Sequence, residues 1–195
     1  MIVELVGAPG AGKTHLAPII AARCGVPIIR VGRLGQRHFY FALYAITHWR
    51  LTREIFREFR RQEREHPHLR SVRKWRRFTS MGAKTAKARL IGGGLVDEGL
   101  FQGLLKIFED PATPEQLEYY LRLIGTPPDR VYCIEASDSE RYERMQARNY
   151  FPRRDLGEDN WQHWHKSFTA NVATIKPILL QRYRAEIIEN AGPIS

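Results

Sequence analysis

The segment Gly7-Ala8-Pro9-Gly10-Ala11-Gly12-Lys13-Thr14 places the strongest constraint on how this chain can fold. It matches the pattern G-x-x-x-x-G-K-[ST] at every fixed position, between an apolar run at residues 1–6 and a helix-like segment at residues 15–23. Glycines let the backbone curl so that successive N–H groups surround phosphate oxygens, and the following helix adds the positive end of its dipole. A chance match in an ordinary turn is the alternative, but the order strand, loop, helix favours nucleotide binding.

Two side chains of this segment have expected roles. We expect Lys13 to reach the terminal phosphates of ATP and the Thr14 hydroxyl to bind Mg²⁺. Backbone groups from Gly7 to Gly12 would surround the phosphates. The segment therefore predicts the donor side of a reaction and leaves its chemistry open.

The length of 195 residues fits one α/β domain and is short for two. We expect no membrane span, because no window approaches about 18 consecutive apolar residues, and the N-terminal residues do not read as a signal peptide. Cys24 and Cys133 are isolated thiols without metal or redox spacing, which favours a reducing, cytoplasmic compartment.

The formal net charge is +10, from 31 basic and 21 acidic residues. Such an excess favours polyanionic partners, namely nucleotides, nucleic acid or an anionic membrane surface. The basic residues concentrate at about residues 30–89 and 141–154. Clustered arginines are expected of an enzyme that binds phosphorylated substrates, although a solvated basic surface gives the same composition.

Apolar runs alternate with helical patterns along the chain, which predicts an α/β fold with a five-stranded parallel sheet flanked by helices. The predicted strands are residues 2–6, 26–31, 92–98, 130–135 and 185–190. A helical insertion, residues 30–90, precedes the third strand, and Pro67 marks a break within it. Trp75, Phe78 and Met81 are expected to face the core.

Asp97 and Glu98 end the third predicted strand. Asp97 is placed to hold magnesium, and Glu98 is placed to accept the proton of an attacking hydroxyl group or water. The sequence does not orient either side chain, so the reverse assignment stays open. Both acids could instead cap the helix that follows.

Five arginines follow the fourth predicted strand: Arg141, Arg144, Arg148, Arg153 and Arg154. The first three share a helical face, and the last two lie in a polar stretch, residues 149–160, that has no apolar period. A loop that bears arginines can close over a nucleotide and neutralise transition-state charge. We therefore take Arg148 and Arg153 as candidate catalytic residues and Arg144 as a candidate nucleotide contact.

Together, Gly7 to Thr14, Asp97-Glu98-Gly99 and the Arg144/Arg148 helix resemble the nucleoside- and nucleotide-kinase branch of the P-loop kinases. Within that branch, the sequence resembles the thymidylate kinase-like proteins. The resemblance implies the P-loop NTPase fold, a magnesium–ATP donor and a lid after the fourth strand. It also implies an acceptor pocket formed by the helices before the third strand.

Two departures from that pattern leave the acceptor open among a nucleotide, a nucleoside and a sugar. Thymidylate-specific relatives have Asp-Arg where this chain has Asp97-Glu98. Some kinases of the branch have an acid at the end of the second strand, where this chain has Arg30. The alternative function is a P-loop NTPase whose basic helical region binds nucleic acid or a protein partner.

Overall fold

The computed structural model describes residues 1–65 and 71–191, and for residues 71–73 it describes the backbone alone. A parallel sheet of four strands lies at the centre of these residues. The strands are β1 (Ile2–Val6), β2 (Gly94–Val96), β3 (Arg130–Glu135) and β4 (Ala185–Glu189). Their order is β2-β1-β3-β4, and every pair is parallel. The segments that follow β1, β2 and β3 therefore emerge at one edge of the sheet, where open α/β sheets bind ligands.

The prediction of five strands is wrong in one place. Residues 26–31 form a single bridge, from Ile28 to Leu95, at the outer side of β2. Two hydrogen bonds hold it, from Ile29 N to Leu95 O and from Leu95 N to Pro27 O, both 2.8 Å. Pro27 has no N–H to donate and β2 is only three residues long, so the ladder does not extend.

Helices surround the sheet within the described residues. They are α1 (Lys13–Cys24), α2 (Leu34–Thr47), α3 (Trp49–Glu65), α4 (Ser71–Leu90), α5 (Leu100–Leu105), α6 (Pro114–Leu123), α7 (Asp138–Ala147) and α8 (Glu158–Arg182). The helical insertion before the third predicted strand is confirmed as α2, α3 and α4. The predicted break at Pro67 lies outside the described residues.

Alternation along β1 divides the core between the two faces of the sheet. Val3 and Leu5 pack with Ile20 of α1 on one face. Val6 belongs to the larger cluster on the other face, with residues of α2, α3, α4, α5, α6 and α8. Glu4 therefore points to the same face as Val6, and it is buried. A carboxyl group inside the core requires hydrogen-bond partners.

The insertion buries apolar side chains of α3 and α4 and exposes a stripe on α2. Leu51, Ile55 and Phe59 of α3 are buried, as are Phe78 and Met81 of α4. The stripe of Phe39, Leu43 and Ile46 on α2 is exposed, up to 72 % at Ile46. No helix among the described residues is long and apolar enough to cross a membrane.

The polar stretch after α7 is shorter than its predicted range of 149–160. A short 3₁₀ turn, Arg154–Leu156, interrupts it, and α8 already begins at Glu158. The acids Glu158 and Asp159 occupy the first turn of α8, where they complement the helix dipole. This connection joins α7 to α8 at the edge of the sheet that carries the glycine-rich loop.

Candidate active site at the glycine-rich loop

The loop after β1 has a backbone that requires glycine at two positions. Gly10 and Gly12 adopt φ values of 80° and 94°, in the left-handed region. A Cβ atom at Gly10 would lie 2.4 Å from the Arg141 carbonyl oxygen, and one at Gly12 would lie 2.0 Å from Asn190 Nδ2. The loop is therefore packed closely between α7 and the segment after β4.

The N-terminus of α1 is open to an anion. Gly12 is its N-cap, provides no side-chain hydrogen bond, and no acid occupies the first turn. The first N–H groups of a helix have no intrahelical acceptor, so a phosphate group at this end satisfies them and interacts favourably with the dipole. This is the arrangement that the sequence pattern predicts.

Lys13 folds back over the loop. Its ammonium group donates to the carbonyl oxygens of Gly7 at 2.6 Å and Ala8 at 3.0 Å. Burial and, to a smaller extent, the positive charge of Lys106 lower the pKa of Lys13 to about 7, although Glu98 and Asp97 oppose the shift. Lys13 is therefore divided between its charged and neutral forms near neutral pH.

A buried chain of hydrogen bonds supports the loop, and the sequence analysis missed it. The Gly7 N–H donates to Gln102 Oε1 at 2.9 Å. The Glu4 carboxyl group accepts from Leu100 N at 3.0 Å and from Gln102 N at 2.9 Å, at the start of α5. Burial raises the pKa of Glu4 to about 8. A single charged residue within the apolar run of residues 1–6 was the available signal for Glu4, whereas nothing singles out Gln102.

The two acids after β2 each pair with a lysine that the sequence analysis also missed. Lys84 Nζ lies 2.6 Å from Asp97 Oδ1, and Lys106 Nζ lies 2.5 Å from Glu98 Oε1. Burial opposes ionisation of Glu98, but Lys106, Lys13 and Lys84 together lower its pKa. Glu98 is therefore a carboxylate near neutral pH.

The candidate arginines divide between the loop and a separate ion pair. Arg144 is buried, and its guanidinium group donates to Asn190 O at 2.8 Å and to Gly10 O at 3.4 Å. Arg148 lines the cavity beside the loop. Arg153, in contrast, donates to both carboxylate oxygens of Glu109, at 2.9 Å for the longer bond. The structure thus brings Arg144 and Arg148 to the loop and pairs Arg153 elsewhere.

Arg153 belongs to a buried ionic cluster. Lys74 of α4 also pairs with Glu109, and the Arg153 guanidinium group lies 5.1 Å from the centre of the Trp164 ring. Arg153 adopts a φ of 70°, which is unfavourable for a residue with a Cβ atom. The cluster connects the segment before α8 to the helical insertion.

Two cavities meet at this edge of the sheet. The first, which we call the loop cavity, has a volume of about 210 Å³. The second, the basic cavity, has about 440 Å³ and lies between α2, α4 and the end of β2. Arg77 and Glu98 line both cavities. The loop cavity is also lined by Gly12, Lys13, Thr14, Lys106, Arg144 and Arg148, and the basic cavity is also lined by Arg37, Arg76 and Lys84.

Comparison with known proteins gives the fold. No protein-family model matches the sequence, and no curated protein matches it significantly. The structure is similar to a deoxyadenosine kinase from M. mycoides with bound dATP, with a TM-score of 0.53, 11 % identity, and coverage of 96 % of this chain and 90 % of that chain. The chain therefore has the same fold as this enzyme.

Two further structures of that enzyme are also similar. One contains the products dCMP and a flexible dCDP, with 12 % identity, a TM-score of 0.49, and coverage of 96 % of this chain and 90 % of that one. The other contains dCTP, with 13 % identity, a TM-score of 0.48, and coverage of 97 % and 90 %. The thymidylate-kinase-like form that the sequence resembles is not among these three structures.

The lowered pKa of Lys13 predicts proton uptake when a nucleotide binds. A triphosphate stabilises the ammonium form, so at pH 8 binding should take up close to one proton, whereas at pH 6 Lys13 is already charged and should take up almost none. Calorimetric titration with ATP in buffers of different ionisation enthalpy measures this number. Equal uptake at pH 6 and pH 8 would contradict the assignment.

The lowered pKa of Lys13 also makes the free energy of unfolding depend on pH. The unfolded chain binds more protons at Lys13 than the folded chain between about pH 7 and the ordinary value of 10.5. The contribution of Lys13 to the free energy of unfolding therefore rises with pH through that window.

Glu109→Ala is expected to lower the free energy of unfolding by about 3–5 kcal/mol, because it leaves the buried Lys74 and Arg153 without their counter-charge. Glu118→Ala is the matched control. Its partner Arg182 is half-exposed, so the loss should stay below about 1 kcal/mol. Urea denaturation of both variants compares the two effects, and equal losses would argue against a structural role of the cluster.

Proposed function

We propose that the protein is an ATP-dependent phosphotransferase that moves the γ-phosphate of ATP to a small-molecule acceptor. One observation carries the proposal: the loop cavity and the basic cavity share Arg77 and Glu98. A donor in the first cavity and an acceptor in the second would meet at these two side chains. The kinase fold supports this assignment.

On the donor side, the N–H groups of the loop and α1 would bind phosphate oxygens. Lys13 would exchange its bonds to the Gly7 and Ala8 carbonyl oxygens for bonds to the terminal phosphates. Arg144 fixes the loop through its carbonyl groups, and Arg148 is available in the cavity wall. These cations would neutralise charge that develops on the transferred group.

Mg²⁺ is the metal that this donor set fits. A hydroxyl group at Thr14 and a carboxylate at Asp97 are oxygen ligands, which Mg²⁺ prefers together with substrate phosphates and water. When bound, it would supply charge neutralisation of the phosphates. In the structure, the Asp97 carboxylate pairs with Lys84. With Mg²⁺ bound, Lys84 and the metal ion would share this carboxylate.

Glu98 is the candidate general base for a hydroxyl acceptor. It is ionised near neutral pH and lines both cavities. It would accept the proton as the acceptor oxygen bonds to the γ-phosphorus atom and ADP leaves. Arg153 would have to leave Glu109 to reach a nucleotide. We therefore propose Arg148, and not Arg153, as the arginine after α7 that contacts the transferred phosphate.

The acceptor is proposed to be a nucleoside or a nucleotide, with a sugar as a further possibility. The similar enzyme is named a deoxyadenosine kinase, which favours the nucleoside type. The proposed similarity to thymidylate kinase-like proteins depends on the sequence of the Arg144/Arg148 helix and of the loop after it.

Nucleic-acid binding by the insertion is the second candidate, and contacts on α3 argue against it. Several of its arginines pair with acids of the same helix: Arg57 with Glu54, and Arg61 with Glu58 and Glu65. Paired guanidinium groups release fewer counterions on binding a polyanion. This face is therefore less basic than its composition indicates.

ATP turnover with and without acceptors tests the proposal. Purified protein is incubated with Mg²⁺–ATP and nucleosides, nucleoside monophosphates, sugars, single-stranded DNA or RNA. Turnover that depends on a small acceptor and yields its phosphorylated form supports the kinase. Stimulation by nucleic acid without a phosphorylated product would replace it with the second candidate.

A further inference from the structure

We infer that the acceptor already carries a phosphate group, which the basic cavity binds through Arg37, Arg76 and Arg77. This inference rests on the proposed function and narrows its acceptor to a phosphomonoester. Three features support it: the charge of the cavity, one buried donor, and the nucleophile that such an acceptor would supply.

The charges in the basic cavity are unbalanced. Lys84 is neutralised by Asp97, and Glu98 by Lys106. Within the described part of the chain, the three arginine side chains form neither an ion pair nor a hydrogen bond. Three guanidinium groups thus line one cavity without a carboxylate of their own, and arginine is the residue best suited to bind phosphate through paired N–H donors.

Arg37 gives an independent indication of a ligand. Its Nε atom is buried and finds no acceptor among the described residues. Buried polar atoms almost always have a partner, so an unpaired one at the wall of a cavity indicates a group that the ligand supplies. A phosphate group bound at this wall would compensate the positive charge of Arg37, whereas a neutral sugar hydroxyl would leave it uncompensated.

The position of Arg77 connects this phosphate to the reaction. Arg77 lines the basic cavity and the loop cavity, so it would lie between the acceptor phosphate and the γ-phosphate. Two anionic groups must approach each other for transfer, and a cation between them lowers their repulsion. The cavity of about 440 Å³ also falls within the size range of small-molecule sites.

A phosphate acceptor simplifies the chemical step. An oxygen of the acceptor phosphate attacks the γ-phosphorus atom, and a new P–O bond forms. The bond from the γ-phosphorus atom to the β,γ-bridging oxygen breaks, and its electron pair leaves with ADP. The attacking oxygen is already ionised, so no proton has to be removed, and Glu98 would hold Lys106 rather than act as a base.

Matched acceptor pairs test the inference. Each of four deoxynucleosides is compared with its 5′-monophosphate, and ribose with ribose 5-phosphate, as kcat/KM in the presence of Mg²⁺–ATP. We expect the phosphorylated member of at least one pair to be favoured by about 100-fold or more, because a site built for a charged group rejects the analogue that lacks it. Preference for the unphosphorylated member in the pairs that react would overturn the inference.

Substitution of single arginines in the basic cavity gives a second test of the inference. Arg37→Gln and Arg76→Gln should each raise KM for the phosphorylated acceptor about 10-fold or more, with little change in KM for ATP. Arg122→Gln, an exposed arginine of α6, is the matched control and should change neither. An equal effect of Arg37→Gln on both members of a pair would also overturn the inference.

The failure of the inference is distinguishable from that of the proposed function. If neither member of any pair is phosphorylated while ATP still binds, the proposed phosphotransferase is wrong. Binding then tests the cavity alone, with thymidine 5′-monophosphate and thymidine as calorimetric probes. Tighter binding of the monophosphate that weakens in Arg37→Gln supports an anion site, and equal or absent binding of both overturns it.

Discussion

Lys13→Ala is expected to reduce acceptor-dependent ATP turnover by about 10³-fold, a loss of ~4 kcal/mol of transition-state stabilisation. The ammonium group is held at the loop by the Gly7 and Ala8 carbonyl oxygens, from which it can move to a terminal phosphate without leaving the site. Removing it leaves charge on the transferred group without its principal partner. Initial rates at saturating ATP, with the phosphorylated product measured directly, give the magnitude.

Lys166→Ala serves as the control for this variant. Lys166 is exposed on α8, so its removal changes the net charge equally and should leave turnover nearly unchanged. Thermal unfolding of both variants separates loss of the catalytic group from loss of the fold. Turnover of Lys13→Ala within a few-fold of the original protein would remove this lysine from the proposed mechanism.

Asp97→Asn is expected to lower the magnesium-dependent rate by about 10²- to 10³-fold and to raise the Mg²⁺ concentration needed for half-maximal turnover. An amide retains the size of the side chain but removes the negative charge that attracts the cation. It also removes the counter-charge of Lys84, at 2.6 Å in the structure. Rates measured over a range of Mg²⁺ concentrations at saturating ATP separate these effects.

Asp159→Asn is the matched control, because Asp159 is exposed in the first turn of α8. It should alter stability slightly through the helix dipole and leave the Mg²⁺ dependence unchanged. Glu98→Gln completes the set, since the sequence left the roles of the two acids open. If Glu98→Gln shifts the Mg²⁺ dependence and Asp97→Asn does not, the two assignments exchange.

The parts of the site that sequence analysis predicted are local in the chain. Strand, glycine-rich loop and helix are consecutive, and their conformations depend on neighbours such as Gly10 and Gly12. The capping boxes formed by Thr113 and Ser137 at the starts of α6 and α7 are local for the same reason. Short-range geometry of this kind follows from residue type and spacing.

The features that were missed depend on contacts between distant residues. The pairing of Arg153 with Glu109 joins positions 44 residues apart, and Gly7 N bonds to a side chain 95 residues away. The predicted second strand contained a suitable apolar run, but its pairing depended on the length of β2. Helical spacing on α2 likewise gave a stripe without saying what would cover it, and Phe39 and Ile46 are exposed.

The cluster around Glu109 has a consequence for the motion of the segment before α8. One carboxylate faces two cations there, Lys74 and Arg153. If Arg153 departs, Glu109 and Lys74 remain as a one-to-one pair, so the carboxylate is not left in the interior without a counter-charge. The segment can therefore detach at the cost of one ion pair, and the helical insertion stays neutralised while it moves.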